Sequence, residues 1–257
     1  MIDLFITAYL RPTFTGETIR YLRSRTKYPY RLFLIDQGGN QMYKDAVDYY
    51  IKLEPTTNIH TAWNIAKEMA ESEYFITSDN DIYVPDLRDV GEYEDDKGKH
   101  FINLNIDDEL KSADWLSRMV KYMDERPDYA AISLHPHVLI GAASFDPSDP
   151  EDVKEVDHCG AVMRIMRTKV AREAGGWEHK LEKGRNHEER YIADQLHKIG
   201  FKVGRTTRLR AYHPFGKNWG YPEDMSPEEH GHRPELKEQV ESADQPTAYD
   251  NKTWLPL

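Results

Sequence analysis

Ser78-Asp79-Asn80-Asp81 is the segment whose residue types and spacing most clearly suggest chemistry, and its Ser78 is the last residue of the apolar run YFITS. Two carboxylates one residue apart can share one divalent cation, and Mg²⁺ and Mn²⁺ prefer oxygen ligands and often keep phosphate oxygens in their coordination shell. Asp and Asn are also common turn residues, so a solvated turn is the alternative. An EF-hand is excluded, because the loop lacks the glycine at its sixth position and the glutamate at its twelfth.

Cysteine and histidine offer weaker signals. Cys159 and His158 are neighbours, and adjacent side chains on an extended chain point in opposite directions, so a packed thiol is expected rather than a nucleophile. His213 precedes a proline near a strand end, where hydrogen bonding is the commoner role. The histidine pairs at 135/137 and 230/232 have no carboxylate or cysteine partner placed by the pattern, and we expect them in loops.

The elements that must position these residues alternate through the first eighty positions. Short apolar runs predict strands at 2–9, 31–36 and 74–78, and helical spacing predicts helices at 15–25, 41–52 and 61–72. Gly38-Gly39-Asn40 predicts a turn after the second strand. This order predicts an α/β fold with a mostly parallel sheet and helices packed on its faces.

The second half continues the pattern more loosely. We expect helices at 114–125, 168–174 and 187–199, strands at 130–134 and 162–165, and a basic strand after Gly200. The acidic stretch 86–114 predicts a surface excursion. Residues from 216 onward show little periodicity, so we predict one domain, 1–218, followed by a C-terminal lid or tail, 219–257.

Composition excludes several classes. The 257 residues carry a formal charge of −11, with 39% hydrophobic and 31% charged residues, which is a globular balance. No apolar run reaches the roughly 18–20 residues of a membrane span, and the N-terminus does not resemble a signal peptide. The single cysteine excludes an intrachain disulfide framework. A cytoplasmic protein is expected, and the acidic balance disfavours one that coats nucleic acid.

Several motifs follow one another in a definite order along the chain. A Tyr-x-Arg-like turn follows the first strand, Asp-x-Gly follows the second, and an Asn-bearing helix precedes the Asp-x-Asp segment. Later come Cys159-Gly160-Ala161, a helix running into Gly-Gly-Trp, and a Glu-Glu helix that ends in glycine. In this order the motifs resemble those of the family 2 glycosyltransferases of the GT-A fold, the later ones resembling the acceptor half. The resemblance covers roughly residues 1–215, and it implies a GT-A-like, Rossmann-like nucleotide-binding domain.

The resemblance implies a donor site for a nucleoside-diphosphate sugar, with UDP-sugars the commonest choice. Asp36 would accept hydrogen bonds from the nucleobase, although a turn or helix-cap role is the alternative for that residue. Asp81 would ligate Mn²⁺ or Mg²⁺, with Asp79 beside it and His213 as a further ligand that weakly favours manganese. The other implied nucleotide-sugar contacts are Tyr9, Arg11, Asn64, Asp79 and Asn80.

The resemblance also implies a catalytic base on the acceptor side. Glu189 aligns with the family's base, with glutamate in place of the usual aspartate, and Glu188 is the other candidate. Both could instead be first-turn glutamates that complement the helix dipole. Gly160 and Trp177 fall on the acceptor side, where Trp177 would stack on a sugar or simply pack in the core.

The implied activity is metal-dependent, inverting transfer of a sugar to an acceptor hydroxyl. A sugar nucleotidyltransferase is one alternative, disfavoured because TAYLRPTFTGET holds a single glycine where a phosphate loop would need several. A nucleotide-sugar or carbohydrate-binding module without catalysis is another. Two basic clusters, 20–31 and 202–210, could meet an anionic glycan, lipid-linked or nucleic-acid acceptor, or be solvated faces.

Overall fold

The computed structural model describes residues 1–9, 11–55, 59–84, 91–95, 98–102, 114–137, 153–177 and 187–212. The lid or tail expected at 219–257, His213 and the histidines at 230 and 232 lie outside the described residues. No helix within the described ranges is long and apolar enough to span a bilayer.

An eight-stranded sheet forms the centre of the fold. Its spatial order is β3-β2-β1-β4-β9-β7-β10-β8, and among the described residues four of its neighbouring pairs are parallel and three antiparallel. The strands are β1 Ile2–Ala8, β2 Tyr30–Asp36, β3 Tyr49–Lys52, β4 Tyr74–Asp79, β7 Tyr129–His137, β8 Val153–Glu155, β9 Arg164–Arg167 and β10 Lys202–Tyr212. A separate antiparallel pair, β5 Gly91–Asp95 and β6 Gly98–Ile102, lies within the predicted acidic excursion.

Five helices accompany the sheet in the described part of the chain, namely α1 Pro12–Arg25, α2 Ile59–Met69, α3 Trp115–Glu125, α4 Thr168–Glu173 and α5 His187–Lys198. Two apolar clusters cover the two faces of the sheet. One contains Leu4 and Ile6 of β1 together with Leu22 of α1, and the other contains Phe5 of β1 together with Trp63 of α2. Burial on both faces explains why β1 is apolar at nearly every position.

The predicted α/β architecture is confirmed, and the three early strands begin and end within two residues of their predicted positions. The helix expected from Asp114 is also present, and the Asp114 side chain caps it by accepting a hydrogen bond from Ser117 N–H at 2.7 Å.

The helix predicted over 41–52 is wrong. The segment instead forms a 3-10 helix, Gln41–Ala46, followed by β3, which pairs in parallel with β2. Aromatic and β-branched residues favour strand, and Phe33 stacks on Tyr49 with ring centroids 4.5 Å apart. His135 and His137 also lie in β7, not in the loop that was expected.

Candidate functional site

The carboxyl ends of β1, β2 and β4 meet at one edge of the sheet. The parallel register aligns Ala8 with Asp36 and Thr7 with Asp79, so the motifs that follow these strands become neighbours. Loops at the carboxyl ends of parallel strands are exposed yet held by the sheet, which is why ligands bind there in α/β folds. The structure therefore brings Asp36, Asp79 and the Arg11–Asp81 pair to one edge of the sheet.

Arg11 and Asp81 form an ion pair in this edge, with Nη1 3.2 Å from Oδ2. The Asp81 side chain is only 4% exposed, whereas that of Arg11 is 22% exposed. Arg11 caps α1 in the left-handed region at φ 54°, directly before Pro12 at the first helical position. A left-handed arginine costs free energy, so the local fold holds this side chain against Asp81 at the expense of backbone strain.

A second strained residue contacts the same loop. Met163 has φ 45°, and its N–H donates a hydrogen bond to Oγ of Ser78 at 3.3 Å. Arg11 and Met163 are the only non-glycine residues with positive φ in the described part of the chain. Both therefore support the Ser78–Asp81 segment, one through its side chain and the other through its backbone.

Asp36 is buried, and both of its oxygens accept hydrogen bonds from the chain itself. Oδ1 accepts from Gly38 N–H at 2.8 Å and from Nδ2 of Asn40 at 3.2 Å, and Oδ2 accepts from the Tyr50 hydroxyl at 2.7 Å and from Asn40 N–H at 3.2 Å. Burial and the hydrogen bond to Asp36 raise the pKa of Tyr50. The turn role of Asp36 is therefore present, and its contact with a nucleobase stays a prediction.

Glu189 lies beside the Gly160-Ala161 peptide, as expected if the two belong to one site. The N–H of Ala161 donates a hydrogen bond to Oε1 of Glu189 at 3.1 Å, and the carbonyl of Ala161 accepts from Asp79 N–H at 3.2 Å. A Cβ on Gly160 would lie 3.2 Å from Oε1 of Glu189, so glycine leaves room for the carboxylate. One residue, Ala161, thus connects the predicted base with the Asp-x-Asp segment through its N–H and its carbonyl.

Arg164 contacts the same 159–161 loop through the Cys159 carbonyl. Its guanidinium is completely buried, and it donates hydrogen bonds to the Cys159 carbonyl at 3.3 Å and to Oγ1 of Thr77 at 3.1 Å. The guanidinium carbon also lies 4.7 Å from the ring centre of Trp63 and 5.2 Å from that of Trp177. Stacking on indole faces offsets part of the cost of burying this charge.

Trp177 packs in the core, and this covers the face that sugar stacking would need. It is 2% exposed and lies 5.4 Å from Trp63 between ring centres. Asn64 anchors it through Nδ2, which donates to the Trp177 carbonyl at 2.6 Å, and through Oδ1, which accepts from Trp177 N–H at 2.9 Å. Asn64 thus holds a backbone segment, and its contact with a nucleotide stays a prediction.

Cys159 is the packed thiol that the sequence predicts. It is buried, and burial raises the pKa of the Cys159 thiol to about 11, which leaves it protonated and unreactive near neutral pH.

Tyr9 is 47% exposed directly after β1, where a ligand could reach it.

Carboxylates pair with three arginines of the first basic cluster and with one lysine of the second. In the first, Arg31 pairs with Asp3 and Glu71, Arg20 with Glu17, and Arg23 with Asp48. In the second, Lys202 pairs with Asp128 and Glu155. These contacts favour the interpretation that both clusters are solvated, internally paired faces over the interpretation that they dock an anionic acceptor.

The Asp-x-Asp pair fits a divalent cation in its chemistry. Both ligands are hard carboxylate oxygens, and the Arg11 guanidinium beside Asp81 marks a position that already accommodates positive charge. No group of three His, Cys, Asp or Glu side chains that could hold a metal occurs among the described residues. His213 and the side chain of Glu188 lie outside them. Water and phosphate oxygens would complete a shell built on Asp79 and Asp81.

Sequence reasoning missed the residues that act through the backbone or through buried hydroxyls. The Ala161 peptide carries no side-chain signal, because every residue has an N–H and a carbonyl. Thr15 and Asn40 lie in the predicted helix and turn, and only the structure shows that they bond to each other at 2.6 Å. The fully buried Arg164 has no local signature that distinguishes it from a surface arginine.

Comparison with known proteins places the fold. No family model matches the chain, and no curated protein matches it. TarS from S. aureus, solved in complex with UDP-GlcNAc, superposes with a TM-score of 0.59 at 13% identity, over 98% of this chain and 69% of the TarS chain. The TarS chain in that crystal spans residues 1–349.

Two further structures match shorter shares of their own length. The mannosyltransferase PcManGT from Pyrobaculum calidifontis, with GDP-Man and Mn²⁺, has a TM-score of 0.57 at 11% identity, over 86% of this chain and 58% of that one. GalNAc-T7 with UDP, GalNAc and Mn²⁺ has a TM-score of 0.60 at 11% identity, over 83% of this chain and 44% of the GalNAc-T7 chain. The eight-stranded sheet with its flanking helices is therefore the GT-A fold that these glycosyltransferases have.

Proposed function

We propose that this protein is a glycosyltransferase that uses a nucleoside-diphosphate sugar and transfers the sugar, with inversion, to an acceptor hydroxyl. The observation that carries the proposal is the hydrogen-bonded path from Asp79 through the Ala161 peptide to Glu189. It joins a phosphate- and metal-type carboxylate motif to a carboxylate base at the edge of the sheet where α/β folds bind ligands. The GT-A fold of the chain is consistent with this chemistry.

The donor would lie over the ends of β1, β2 and β4. Asp79 and Asp81 would hold Mn²⁺ or Mg²⁺, which when bound neutralises charge that develops on the leaving diphosphate. Arg11 is half-buried beside Asp81 and is placed to donate hydrogen bonds to phosphate oxygens. Tyr9 offers an exposed ring at the same edge. The solved neighbours bind UDP, UDP-GlcNAc and GDP-Man, which makes uridine and guanosine diphosphate sugars the first donors to test.

The acceptor would approach from the Glu189 side. The Ala161 N–H holds Oε1 of Glu189, so Oε2 is the oxygen placed to take the proton of an acceptor hydroxyl. The freed oxygen attacks the anomeric carbon, the bond from that carbon to the diphosphate oxygen breaks, and its electron pair leaves with the diphosphate. Attack from the face opposite the leaving group inverts the anomeric configuration. Glu188 stays an open alternative for the base.

A sugar nucleotidyltransferase fits the structure less well. Such an enzyme needs a flexible glycine-rich loop after the first strand, whereas here α1 begins at Pro12 and includes Gly16. A Cβ on Gly16 would lie 2.5 Å from the Tyr43 hydroxyl, so this glycine allows close packing rather than phosphate binding. A binding module without catalysis is the second alternative, and the Glu189 carboxylate argues against it.

A thermal-shift screen of nucleotide sugars, with and without Mn²⁺, tests the donor half of the proposal. Binding at a hundred times the Kd stabilises the folded state by about 2.7 kcal/mol, which is readily detected. Stabilisation by a UDP- or GDP-sugar, followed by release of nucleoside diphosphate in the presence of acceptor glycans, supports the proposal. Release of pyrophosphate from a nucleoside triphosphate and a sugar phosphate would instead identify a nucleotidyltransferase. Binding without any turnover would identify a binding module.

A further inference from the structure

A chain of buried hydrogen bonds runs between the end of β2 and the Asp-x-Asp loop after β4. Nδ2 of Asn80 donates to Oγ1 of Thr15 at 2.8 Å, and Oγ1 of Thr15 donates to Oδ1 of Asn40 at 2.6 Å. Nδ2 of Asn40 donates to Oδ1 of Asp36 at 3.2 Å, and the Tyr50 hydroxyl donates to Oδ2 of Asp36 at 2.7 Å. We refer to Tyr50, Asp36, Asn40, Thr15 and Asn80 as the polar relay.

Each hydrogen bond of the polar relay from Asn80 to Asp36 is donated toward Asp36. Asp36 only accepts from its neighbours, so Asn40 must turn its Nδ2 toward Asp36 and its Oδ1 toward Thr15. The Thr15 hydroxyl has one proton and two acceptors within reach, Oδ1 of Asn40 at 2.6 Å and the Arg11 carbonyl at 3.4 Å. We assign the proton to the much shorter contact with Asn40, and Thr15 then accepts from Asn80. Asp36 therefore sets the orientation of the Asn80 amide, although the two residues are 44 positions apart.

Four members of the relay are nearly inaccessible to water. Thr15 and Asn40 are completely buried, Asp36 is 1% exposed and Asn80 is 7% exposed. A buried polar atom that loses its partner pays its full desolvation cost, since no solvent can replace the bond. Breaking one link must therefore shift the groups on both sides of it.

Helix α1 carries the link, and it holds Asn80 twice. Thr15 contacts the Asn80 side chain, and Oγ1 of Thr18, one turn further along the helix, donates to the Asn80 carbonyl at 2.8 Å. The same helix begins at Arg11, whose side chain pairs with Asp81. A shift of α1 would therefore move the central and last residues of the Asp-x-Asp segment together.

We propose that Thr15 and Asn40 are positioning residues for donor binding, and that Asp36 acts on the donor through this relay by orienting the Asp-x-Asp loop. The inference rests on the proposed function, because it takes that loop as the donor site. It departs from a direct contact between Asp36 and a nucleobase, since four donors within the chain already occupy the Asp36 carboxylate.

Thr15→Val tests the relay, because valine has the shape of threonine but cannot donate or accept. Thr15→Ser restores the hydroxyl and should rescue the variant. Thr168→Val is a matched control: Thr168 is 6% exposed and its hydroxyl donates to the Ser72 carbonyl at 2.6 Å, outside the relay and the Asp-x-Asp loop. Calorimetry with UDP and GDP in the presence of Mn²⁺ measures affinity, and hydrogen exchange without ligand measures protection of segments 36–40 and 79–82.

Thr15→Val should bind nucleotide about tenfold more weakly, the effect of one lost buried hydrogen bond. It should also exchange faster in both segments, whereas Thr15→Ser and Thr168→Val should leave affinity within about twofold of the native chain. Equal affinity in Thr15→Val and the native chain would overturn the inference, as would faster exchange at 36–40 without any change at 79–82. If Thr15→Val does not fold, Tyr50→Phe takes its place and should give the same coupled exchange.

Measurements on the native chain separate the failure of the proposed function from the failure of the relay. Absence of UDP and GDP binding by the native chain would overturn the proposed function, and the exchange comparison, which needs no ligand, would then decide whether Asp36 and the Asp-x-Asp loop are coupled.

Discussion

The Glu189 carboxylate lies 3.1 Å from the backbone nitrogen of Ala161, and the carbonyl of the same residue accepts a hydrogen bond from Asp79. Helix α5 and strand β4 are thus joined by a single residue of the 159–161 loop. The contact holds Oε1 of Glu189. A carboxylate held in this way is oriented before any ligand arrives, which lowers the cost of proton transfer.

Glu189→Gln should abolish transfer and preserve donor binding. Glutamine keeps an oxygen that accepts from Ala161 N–H, but its amide cannot take a proton, so turnover should fall by about 10²- to 10⁴-fold. Steady-state kinetics and calorimetry with the nucleotide sugar check the two halves. Glu173→Gln, on the exposed end of α4, is the matched control and should be fully active. Transfer by Glu189→Gln at the native rate would leave Glu188→Gln as the next variant to measure.

Asp81→Asn should remove the effect of Mn²⁺ on donor binding. The change takes a charge from the proposed cation site and weakens the 3.2 Å contact with Arg11. We expect the Mn²⁺-dependent part of the thermal shift with nucleotide to disappear and activity to fall by at least tenfold. Asp45→Asn, an exposed carboxylate outside the site, should respond to Mn²⁺ as the native chain does. An unchanged Mn²⁺ response in Asp81→Asn would contradict the assignment of this ligand.

Alanine substitutions at Gly175 and Gly176 form a matched pair that tests how tightly Asn64 and Lys67 pack against the backbone before Trp177. Both have positive φ, at 87° and 78°, so alanine strains the backbone similarly at each. At Gly175 a Cβ meets nothing within 4 Å, whereas at Gly176 it would lie 2.6 Å from Nζ of Lys67 and closer still to Oδ1 of Asn64. Gly176→Ala should therefore lose about 1–3 kcal/mol more stability than Gly175→Ala, measured by urea unfolding. Equal losses would mean that the anchor adjusts freely.

Asp3 should make stability depend on pH in the acid range. Burial opposes its ionisation, but hydrogen bonds from Arg31 and from Ser72 N–H and Glu71 N–H outweigh this and hold the pKa of Asp3 below its ordinary value of 3.8. The unfolded chain therefore binds a proton at higher pH than the folded one. The stabilisation is complete above the unfolded pKa and is lost as the pH falls through the lower folded value.

Asp3→Asn checks this prediction. At pH 7 the variant should be less stable by about 2–3 kcal/mol, because charged hydrogen bonds are replaced by neutral ones. The difference from the native chain should shrink as the pH is lowered below about 4, since the native carboxylate is then protonated as well. Urea unfolding at a series of pH values measures the difference, and a constant difference across that range would contradict the assignment.

The chain's own pattern determined the framework of this protein. Apolar runs of five to eight residues separated by helical spacing identify β1, β2 and β4, because strands buried on both faces are apolar at nearly every position. The position of Asp79 and Asp81 directly after β4 then places them at the ligand-binding edge, because parallel strands end together. Where the local signal was weaker, at 41–52, pairing with β2 overrode it and produced β3.

Only the tertiary structure decided which of these residues hold distant segments together. Asn64 bonds to Trp177 across 113 positions, and Glu189 bonds to Ala161 across 28, and in both cases the partner is a backbone group. Every residue has a backbone carbonyl and every residue except proline has an N–H, so the residue types do not predict these contacts. They arise when packing brings distant segments together, and this is also what covers Trp177 and fills the acceptor positions of Asp36.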